Sequence, residues 1–381
     1  MQNLSGTYIQ SMGGHRTYIP RALPPDLSRI RPETEAQIEE ATFLLWQAKM
    51  CRRLLPNANL LIYSSLQREA LASSTIEGTI ATPEQLVLFQ LSHQSDRSEV
   101  REVANYEVAL KTGVVQIAER ELTVGFIRSL HHVLMEGARG GDTGGTLKTH
   151  QNAIGNPGDS LETAAFVPCP PERVGELMEE LEHYLTGRNR ERKVVQCALA
   201  HHQFETIHPF ADGNGRVGRL LIVLQLIKLG LLDAPLIYPS VYFERTRKEY
   251  YAALQTVRDT GDWDGWIFYF ASALVDSCNS TIRFTEAIRS LQDELQGRVA
   301  DIRSRASVLQ VLNALFEEPF QSVRDIADRL HITPKTALTA IETLRHEGFV
   351  VEISGRAWKR VYACPAVVEL IFGIGFKVPE R

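Results

Sequence analysis

The sequence has no excess of positive charge. Its 41 Lys and Arg are outnumbered by 46 Asp and Glu, which gives a net charge of −5. A chain with this balance has no overall field that would draw it onto nucleic acid or anionic lipid. The composition is otherwise that of a globular protein, with 44% hydrophobic and 23% charged residues. The 381 residues predict two or three domains.

Signals for secretion and for a membrane are also missing. The first ten residues do not show the charged and then apolar pattern of a signal peptide. The longest apolar stretch, 220–232, is interrupted by Gln225, Lys228 and Gly230, so it predicts a buried helix and not a membrane span. The five cysteines are scattered without paired spacing, which argues against a disulfide framework or a zinc site. We therefore predict a cytoplasmic protein without membrane contact.

What is present is mostly helical periodicity, and the predicted fold class is mainly α. Apolar residues recur at helical spacing in 35–54, 59–75, 83–92, 99–119, 123–135, 171–185, 193–206, 215–230, 243–260 and 261–291. Residues 1–34, rich in Gly, Pro and Ser, predict an extended arm that packs on the body. Residues 137–171 are dense in Gly and Pro and predict a long loop or a small β-flap.

The last 80 residues have the pattern of a winged helix-turn-helix. A helix is predicted at 306–315, and a second follows Ser322, which is a suitable N-cap three residues before Asp325. A third begins at Thr333-Pro334 and ends at Gly348. The segments FVVEIS and KRVYA then predict two strands around a polar turn.

One stretch, IHPFADGNGRVGRLL at 207–221, concentrates chemically useful residues between two predicted helices. Two glycines flank Asn214, and glycine permits the backbone conformations that turn N–H groups inward. A helix that starts near Gly215 presents unpaired N–H groups and a partial positive charge, which together form an anion site. Arg216 and Arg219 are three residues apart on this helix and are predicted to face the same way. The combination suits a di- or triphosphate.

Two further residues of the stretch predict chemistry. Asp212 is a poor phosphate ligand but suits Mg²⁺, which takes one or two carboxylates when it is bound to phosphates. His208 titrates near neutrality and can take a proton from an attacking hydroxyl. Phe210 is predicted to anchor the loop in the core.

Simpler interpretations exist for single residues of the stretch. A lone histidine before a glycine turn is usually structural, and GNGR alone is a common turn, so the weight rests on their joint occurrence. A metal site of His201, His202 and His208 has no known ligand spacing. A Walker loop is excluded because GxxxxGK[ST] is absent.

HPFADGNGRVGR, residues 208–219, resembles the signature of the Fic family, HxFx(D/E)GNGRxxR. The resemblance implies a helical core that transfers AMP from ATP to a protein side-chain hydroxyl. It implies that His208 is the general base, that Asp212 is the Mg²⁺ ligand, and that Asn214 contacts the region of the α-phosphate. The other implied phosphate-binding residues are Gly213 and Gly215 in the loop, and Arg216 and Arg219 for the β- and γ-phosphates.

The resemblance extends to most of residues 10–290. KTHQNAIG, 148–155, resembles the family's flap, a β-hairpin over the nucleotide that pairs with an extended target segment. Tyr250 and Tyr251 resemble the tyrosine pair that lines the nucleotide pocket, although plain helix packing would explain them equally well. The flap residues predicted to contact nucleotide are Asn152, Ala153, Ile154 and Gly155.

A second motif, SSTIEGT at 73–79, ends a predicted helix with Gly78 at the C-cap position. Glu77 is at the unfavourable end of that helix for an acid, so from local pattern alone it is either solvated or paired with a cation. The segment resembles the inhibitory motif (S/T)xxxE(G/N) of the Fic class whose inhibitory helix precedes the core. The resemblance implies that Ser73, Glu77 and Gly78 are inhibitory and that Glu77 pairs with Arg219. A carboxylate on Arg219 would occupy the site that the γ-phosphate needs.

With the resemblance, the predicted domains are an N-terminal helical region with the inhibitory helix at 1–95, a Fic catalytic core at 96–295 and a winged helix-turn-helix at 300–381. Winged helices usually bind DNA, here through 333–360. The charge does not demand it, because residues 301–381 hold 11 Lys and Arg against 10 Asp and Glu. Only the wing, with Arg356, Lys359 and Arg360, is clearly basic. On this charge balance a protein contact or a dimer is slightly favoured over DNA binding as the role of the module.

The leading function hypothesis is an ATP- and Mg²⁺-dependent protein adenylyltransferase that acts on a Ser, Thr or Tyr hydroxyl and is autoinhibited by Glu77. A second role of the same site is removal of AMP from a modified target, with Glu77 positioning a water. A hypothesis from another class is a DNA-binding regulator whose Fic core senses nucleotide. The complete GNGR argues against transfer of another phosphate-linked group.

Overall fold

The N-terminal segment is a hairpin, where the sequence predicted an extended arm. In the computed structural model, which describes residues 5–11, 14–92, 98–138, 143–155, 158–299, 302, 305–355 and 358–373, the strands β1 (Gly6–Gln10) and β2 (Arg16–Pro20) pair antiparallel. Both strands contain Thr-Tyr-Ile, and β-branched and aromatic residues favour the extended conformation. Tyr18 is fully buried, and its N–H donates to the Val167 carbonyl at 3.1 Å. The hairpin therefore packs beside the segment that was predicted to be the flap.

The body is helical, as predicted. The helices are α1 (Pro32–Leu54), α2 (Asn59–Ile76), α3 (Pro83–Ser92), α4 (Ser98–Gln116), α5 (Val124–Met135), α6 (Pro171–Thr186), α7 (Lys193–Ile207), α8 (Asn214–Lys228), α9 (Pro239–Arg245), α10 (Arg247–Thr260) and α11 (Trp263–Val299). Most bounds lie within three residues of the prediction, but the predicted helix 243–260 is divided at Thr246. No described helix is long and apolar enough to cross a membrane.

Two central helices, α7 and α8, form the middle of the core. Nearly all of their residues are buried, from Val194 to Ile207 and from Asn214 to Leu226. A helix that is apolar on all sides is surrounded by other elements, and α4, α5, α6 and α11 pack around this pair. The loop 208–213 that joins α7 to α8 carries the chemically rich stretch, so a rigid pair of helices positions it.

The C-terminal residues form the predicted winged helix-turn-helix. Its elements are α12 (Arg305–Glu317), β3 (Gln321–Ser322), α13 (Val323–Leu330), α14 (Pro334–His346), β4 (Val351–Glu352) and β5 (Val361–Ala363), with strand order β3-β5-β4. Ser322 and Asp325 form a full capping box, and the Thr333 hydroxyl caps α14. The sequence prediction missed α15 (Pro365–Phe372). Of the basic wing residues, Arg356 lies outside the described residues.

The predicted domain boundaries fall largely on residues that are not described. Positions 95 and 96 lie between α3 and α4, and position 300 follows α11. The winged module shares apolar contacts with the helical body, because Leu60 and Leu61 of α2 cluster with Val308 and Leu312 of α12. The division at 95, 295 and 300 therefore stays a prediction.

Candidate active site

The loop between α7 and α8 turns on two residues with positive φ. His208 has φ +52° and Gly213 has φ +75°, so the chain leaves α7 and enters α8 in left-handed conformations. Asn214 holds the turn closed, because its Oδ1 accepts from the Phe210 N–H and its Nδ2 donates to the Phe210 carbonyl, both at 2.8 Å. Phe210 is fully buried, as predicted. The buried Asn214 amide thus shapes the loop, whatever contact its backbone makes with a ligand.

His131, which the sequence analysis did not single out, packs against this loop and is hydrogen-bonded to it. The ring of His131, on α5, stacks on Phe210 with centroids 3.7 Å apart. The Gly145 N–H donates to His131 Nδ1 at 2.8 Å, so the other nitrogen carries the proton and donates to the Asp212 carbonyl at 3.0 Å. Burial lowers the pKa of His131 to about 4, which keeps the ring neutral. The loop is therefore held rigidly on α5.

The N-terminus of α8 is the predicted anion site, and a carboxylate occupies it. Glu77 reaches the helix start so closely that a Cβ at Gly215 would collide with Glu77 Oε1. Gly215 is thus required for this approach. The exposed N–H groups and partial positive charge of a helix N-terminus favour an anion there.

Arg219 binds the same carboxylate. Its Nη2 donates to Glu77 Oε1 at 2.6 Å and to the Ser73 carbonyl at 2.9 Å, and its Nε donates to the Ser73 hydroxyl at 2.9 Å. Although burial by itself lowers the pKa of Arg219, the Glu77 carboxylate raises that pKa above its ordinary value. The C-cap of α2 is Glu77, one residue before the predicted Gly78, and Gly78 follows it in a left-handed conformation at φ +85°. The structure therefore brings Arg219 to Ser73 and Glu77, which lie 146 and 142 residues earlier in the chain.

Arg216 points elsewhere, contrary to the prediction that both arginines share one face. Its Nη1 donates to Glu102 Oε2 on α4 at 3.0 Å, and both side chains are buried. Positions three apart on a helix differ by about 60° in direction, and the buried Glu102 carboxylate fixes Arg216 on the α4 side. Arg216 does not line the cavity described below. Its predicted contact with phosphate stays a prediction.

His208 lies at the base of the site and is partly buried. Burial, and then the nearby cations Lys148 and Arg258, lower its pKa to about 3, so the ring is neutral at physiological pH. Its Nδ1 has no hydrogen-bond partner among the described residues. A neutral imidazole with an unpartnered nitrogen can accept a proton.

The predicted flap lies across the site and is hydrogen-bonded to the loop 208–213. Ile154 and Phe166 form an antiparallel bridge with hydrogen bonds of 2.8 and 3.0 Å. Asn152 Nδ2 donates to the Phe210 carbonyl at 2.9 Å, and Lys148 Nζ donates to Asn152 Oδ1 at 2.7 Å. The Asn152 side chain is therefore engaged in holding the flap to the loop, and it does not line the cavity.

These elements enclose a cavity of about 630 Å³. Of the predicted residues it is lined by Glu77, Gly78, Ala153, Ile154, Gly155, His208, Gly215, Arg219, Tyr250 and Tyr251. Tyr250 is buried, with its hydroxyl 2.8 Å from His201 Nε2, while Tyr251 is partly exposed. Both tyrosines thus line the cavity, and Tyr250 also packs in the core.

Asp212, Gly213 and Asn214 lie in the loop but do not line this cavity. The Asp212 side chain is 61% exposed, its Oδ1 accepts from the Gly213 N–H at 2.5 Å, and Arg216 Nη2 lies 3.7 Å from the same oxygen. An exposed carboxylate on a loop that is predicted to bind phosphate fits Mg²⁺, which keeps several waters and takes few protein ligands. No cluster of three or more metal-binding side chains occurs among the described residues. His201, His202 and His208 therefore do not form such a cluster either.

Two more cavity residues escaped the sequence reasoning. Glu205, one turn before His208, is buried, and its Oε1 has no hydrogen-bond partner among the described residues. Burial raises the pKa of Glu205 to about 7. Arg258 on α10 lies 3.8 Å above the Phe166 ring and donates to the Thr206 hydroxyl. Both residues sit in ordinary helical patterns, so no local signal marked them.

Comparison with protein families assigns three regions. The model described as Fic/DOC family matches residues 121–226, the Fic/DOC family N-terminal model matches 36–115, and a winged helix-turn-helix DNA-binding model matches 305–351. The first two together cover most of α1 to α8, and the third covers the C-terminal module from α12 to the start of β4.

Curated relatives match part of the chain. Protein adenylyltransferase fic-1 of Caenorhabditis elegans is 30% identical over 161 residues, which are 39% of this chain and 30% of the relative. A probable protein adenylyltransferase of Aquifex aeolicus is 35% identical over 96 residues, 25% of this chain and 28% of the relative. Each match therefore spans about a third or less of the relative's length.

Solved structures share the fold. A Fic family protein from Desulfovibrio desulfuricans aligns with a TM-score of 0.59 at 20% identity, over 88% of this chain and 96% of that chain. Fic-1 from Caenorhabditis elegans aligns with a TM-score of 0.53 at 20% identity, over 67% of this chain and 73% of that chain.

Proposed function

The chain carries a Fic/DOC family domain, preceded by the family's N-terminal region and followed by a winged helix-turn-helix, and we propose that it is a protein adenylyltransferase. In this proposal it moves AMP from ATP to a Ser, Thr or Tyr hydroxyl of another protein. The observation that carries it is the cavity of about 630 Å³, where a neutral imidazole, a helix N-terminus and a buried arginine meet. The names of the relatives, protein adenylyltransferases, support the same activity.

His208 supplies the base. The hydroxyl oxygen of the target attacks the α-phosphorus of ATP and forms the new P–O bond, while His208 takes the hydroxyl proton. The bond between the α-phosphorus and the bridging oxygen breaks, and pyrophosphate leaves. The N–H groups at the start of α8 and the Arg219 guanidinium stabilise the phosphates. Mg²⁺, held by Asp212 when bound, would neutralise phosphate charge.

Glu77 is the inhibitor in this proposal. Its carboxylate lies on Arg219 and on the start of α8, which are the groups that a γ-phosphate needs. Its side chain is 34% exposed, so the carboxylate can leave for the open cavity without losing contact with water. ATP that binds beside this contact has its phosphates displaced, and the α-phosphorus is out of line for attack. The basal activity is therefore low.

The test compares three forms of the full chain: wild type, Glu77→Gly and Glu77→Gly with His208→Ala. Each is incubated with ATP labelled at the α-phosphorus and a lysate, and protein-bound label is measured. We expect strong labelling by Glu77→Gly alone, because it lacks the competing carboxylate and keeps the base. Equal labelling by wild type and Glu77→Gly would reject the inhibition, and labelling that survives His208→Ala would reject His208 as the base.

The same site could instead remove AMP from a modified target. Labelled product, purified after the first reaction and returned to wild type, separates the two directions. Loss of label with wild type and retention with Glu77→Gly would assign the removal reaction to Glu77.

Duplex DNA is the proposed partner of 333–360. The outward face of α14, with Lys335, Thr339 and Arg345, is exposed, although Glu342 pairs with Arg345 at 2.9 Å. A gel shift with random duplex at two salt concentrations tests this, since phosphate contacts weaken with salt. Sequence-specific binding together with no transfer by Glu77→Gly would favour the nucleotide-sensing regulator.

A cytoplasmic location and a homodimer also belong to the proposal. The five cysteines are buried and unpaired, which suits a reducing compartment. Phe43 and Trp46 on α1 are each more than half exposed, so they offer an apolar surface to a second copy. Light scattering at micromolar concentration measures the mass, and a monomer mass would contradict the dimer.

A further inference from the structure

Helix α2 lies in two environments at once. Its C-terminal end enters the candidate active site, where Ser73 and Glu77 bind Arg219. Its N-terminal half packs on the winged module, because Leu60 and Leu61 belong to the same apolar cluster as Val311 and Leu315 of α12. One helix thus joins the inhibitory contact to a separate module.

The module is also held by a specific polar contact. Arg68 Nη2 of α2 donates to the Ile371 carbonyl at 2.9 Å and lies 3.4 Å from the Leu370 carbonyl. These carbonyls are in the last turn of α15, where helix carbonyls lack intrahelical partners and a cation is favoured. The Arg68 guanidinium also lies 5.0 Å above the Phe284 ring of α11. Arg68 therefore fastens the end of the chain's last described helix to α2.

An aromatic contact adds to this attachment. The Tyr63 ring of α2 and the Phe320 ring of the winged module pack edge to face, with centroids 6.5 Å apart. Phe320 in turn clusters with Val87 of α3 and with Val361 and Val368 of the module. The module therefore packs on α2 and on the helix that follows it.

In the middle of α2, Glu69 binds the helix to α4 and α9. Glu69 is fully buried, accepts from the Tyr106 hydroxyl at 2.9 Å, and accepts from the Ser240 N–H at 3.0 Å. At 1.5 Å per residue, Arg68 lies about 14 Å from Glu77 along the helix axis. Because Glu69 holds the middle of α2, loss of the docking contacts of its N-terminal half lets the helix tilt about Glu69, and this tilt moves Glu77 relative to Arg219.

We propose that the winged module is the regulatory input of the active site: its docking on α2 holds Glu77 against Arg219. Loosening of the docking frees Arg219 for the phosphates of ATP. The inference rests on the proposed inhibition by Glu77. The exposed face of α14 is on the side of the module that α2 does not cover, so a ligand can reach it while the module is docked. Ligands that bind the docked and undocked states unequally shift the balance between them.

The test is Arg68→Ala in the full chain, with Arg68→Lys as the conservative variant. Arg324→Ala is the matched control, because Arg324 is an exposed arginine of the winged module that lies 3.7 Å from Asp328 and away from α2. We expect Arg68→Ala to raise hydrogen exchange of the amides at 71–79 and to raise AMP transfer about five-fold, the low end of couplings between sites. Hydrogen exchange and AMP transfer of Arg68→Lys should lie between those of wild type and Arg68→Ala. Both quantities should be the same in Arg324→Ala as in wild type.

Arg68→Ala in the Glu77→Gly background tests whether the module acts through the contact between Glu77 and Arg219. There, transfer should not rise further, because the contact that the module acts on is already gone. An equal rise in both backgrounds, or unchanged exchange at 71–79, would overturn the inference. If Glu77→Gly is itself no more active than wild type, the proposed inhibition fails, while the exchange measurement still tests the coupling.

A reciprocal measurement covers the case in which Arg68→Ala does not fold. Coupling between two sites acts equally in both directions. Glu77→Gly should therefore raise hydrogen exchange at 365–373, within α15 and its cap. Unchanged exchange there would contradict the inference.

Discussion

The two arginines of the central stretch form ion pairs of opposite character. Arg216 and Glu102 are both buried, with side-chain exposures of 3% and 9%, and Glu102 also accepts from the Thr79 hydroxyl at 3.0 Å. Arg219 is equally buried, but its partner Glu77 is 34% exposed. A pair with one partner open to a cavity can exchange that partner for a ligand, whereas a pair closed on all sides cannot do so without leaving a buried charge.

This difference in exposure indicates that one ion pair is structural and that the other can exchange its carboxylate for a ligand. Arg216–Glu102 joins α8 to α4 and so belongs to the architecture of the site. Arg219–Glu77 joins α8 to the end of α2 and lies on the wall of the cavity. Substitutions of the two glutamates should therefore have different consequences, the first for stability and the second for ligand binding.

The largest expected effect is from Glu102→Ala. Removal of Glu102 leaves the buried Arg216 guanidinium with only the largely exposed Asp212 carboxylate, 3.7 Å away, as a charged partner. The cost in the free energy of unfolding should therefore lie near the low end of the range of about 3–5 kcal/mol for breaking a buried pair. Denaturant unfolding measures this cost, with the exposed Glu119→Ala as the control. A loss below about 1 kcal/mol, typical of a surface pair, would break the contrast between the two pairs.

The next effect is from Glu77→Gln, measured as the ratio of ATP affinity to ADP affinity by calorimetry. The neutral amide removes the opposite charge from Arg219 and leaves only a hydrogen bond to its guanidinium, so the dianionic γ-phosphate can displace it. A hydrogen bond to a charged group contributes about 1.5–3 kcal/mol, so ATP should bind at least about ten-fold more tightly than ADP in this variant. In wild type the two nucleotides should bind alike. The same ratio in both proteins would mean that Glu77 does not compete for Arg219.

This contrast shows what the sequence could and could not predict. The positions of His208, Gly213, Gly215 and Arg219 follow from a contiguous stretch, and its caps and glycines are local signals. The winged module was predictable for the same reason, since Ser322 and Thr333 mark its helix starts.

The partners of these residues were not predictable from local pattern. Glu102 and His131 lie in helices with no distinguishing feature, and only tertiary packing brings them to the loop. The direction of Arg216 was mispredicted because residue spacing fixes the face of a helix only coarsely, and the buried carboxylate decides the rest. The pairing of Glu77 with Arg219 was predicted from the resemblance to the family. The local pattern alone left Glu77 either solvated or paired with an unspecified cation.

The smallest expected effect is the pH dependence of stability that the buried His201 produces. It tests whether the core that carries Arg219 excludes a charged side chain. Burial lowers the pKa of His201 to about 3, below the ordinary value near 6.5 that the unfolded chain regains. The unfolded state then binds more protons, so stability is complete above pH 6.5 and falls as the pH drops toward 3.

One buried imidazole of this kind contributes a loss of about 1.4 kcal/mol at pH 5.5. Denaturant unfolding at pH 7.5 and 5.5 should show a smaller pH-dependent loss in His201→Gln than in wild type, whatever the variant's stability at pH 7.5. His346→Gln is the control, because that side chain is largely exposed. If the loss of stability between pH 7.5 and pH 5.5 is the same in His201→Gln as in wild type, the core around α7 accepts the protonated His201 ring. Burial of His201 would then not explain why the helix pair that carries Arg219 is rigid.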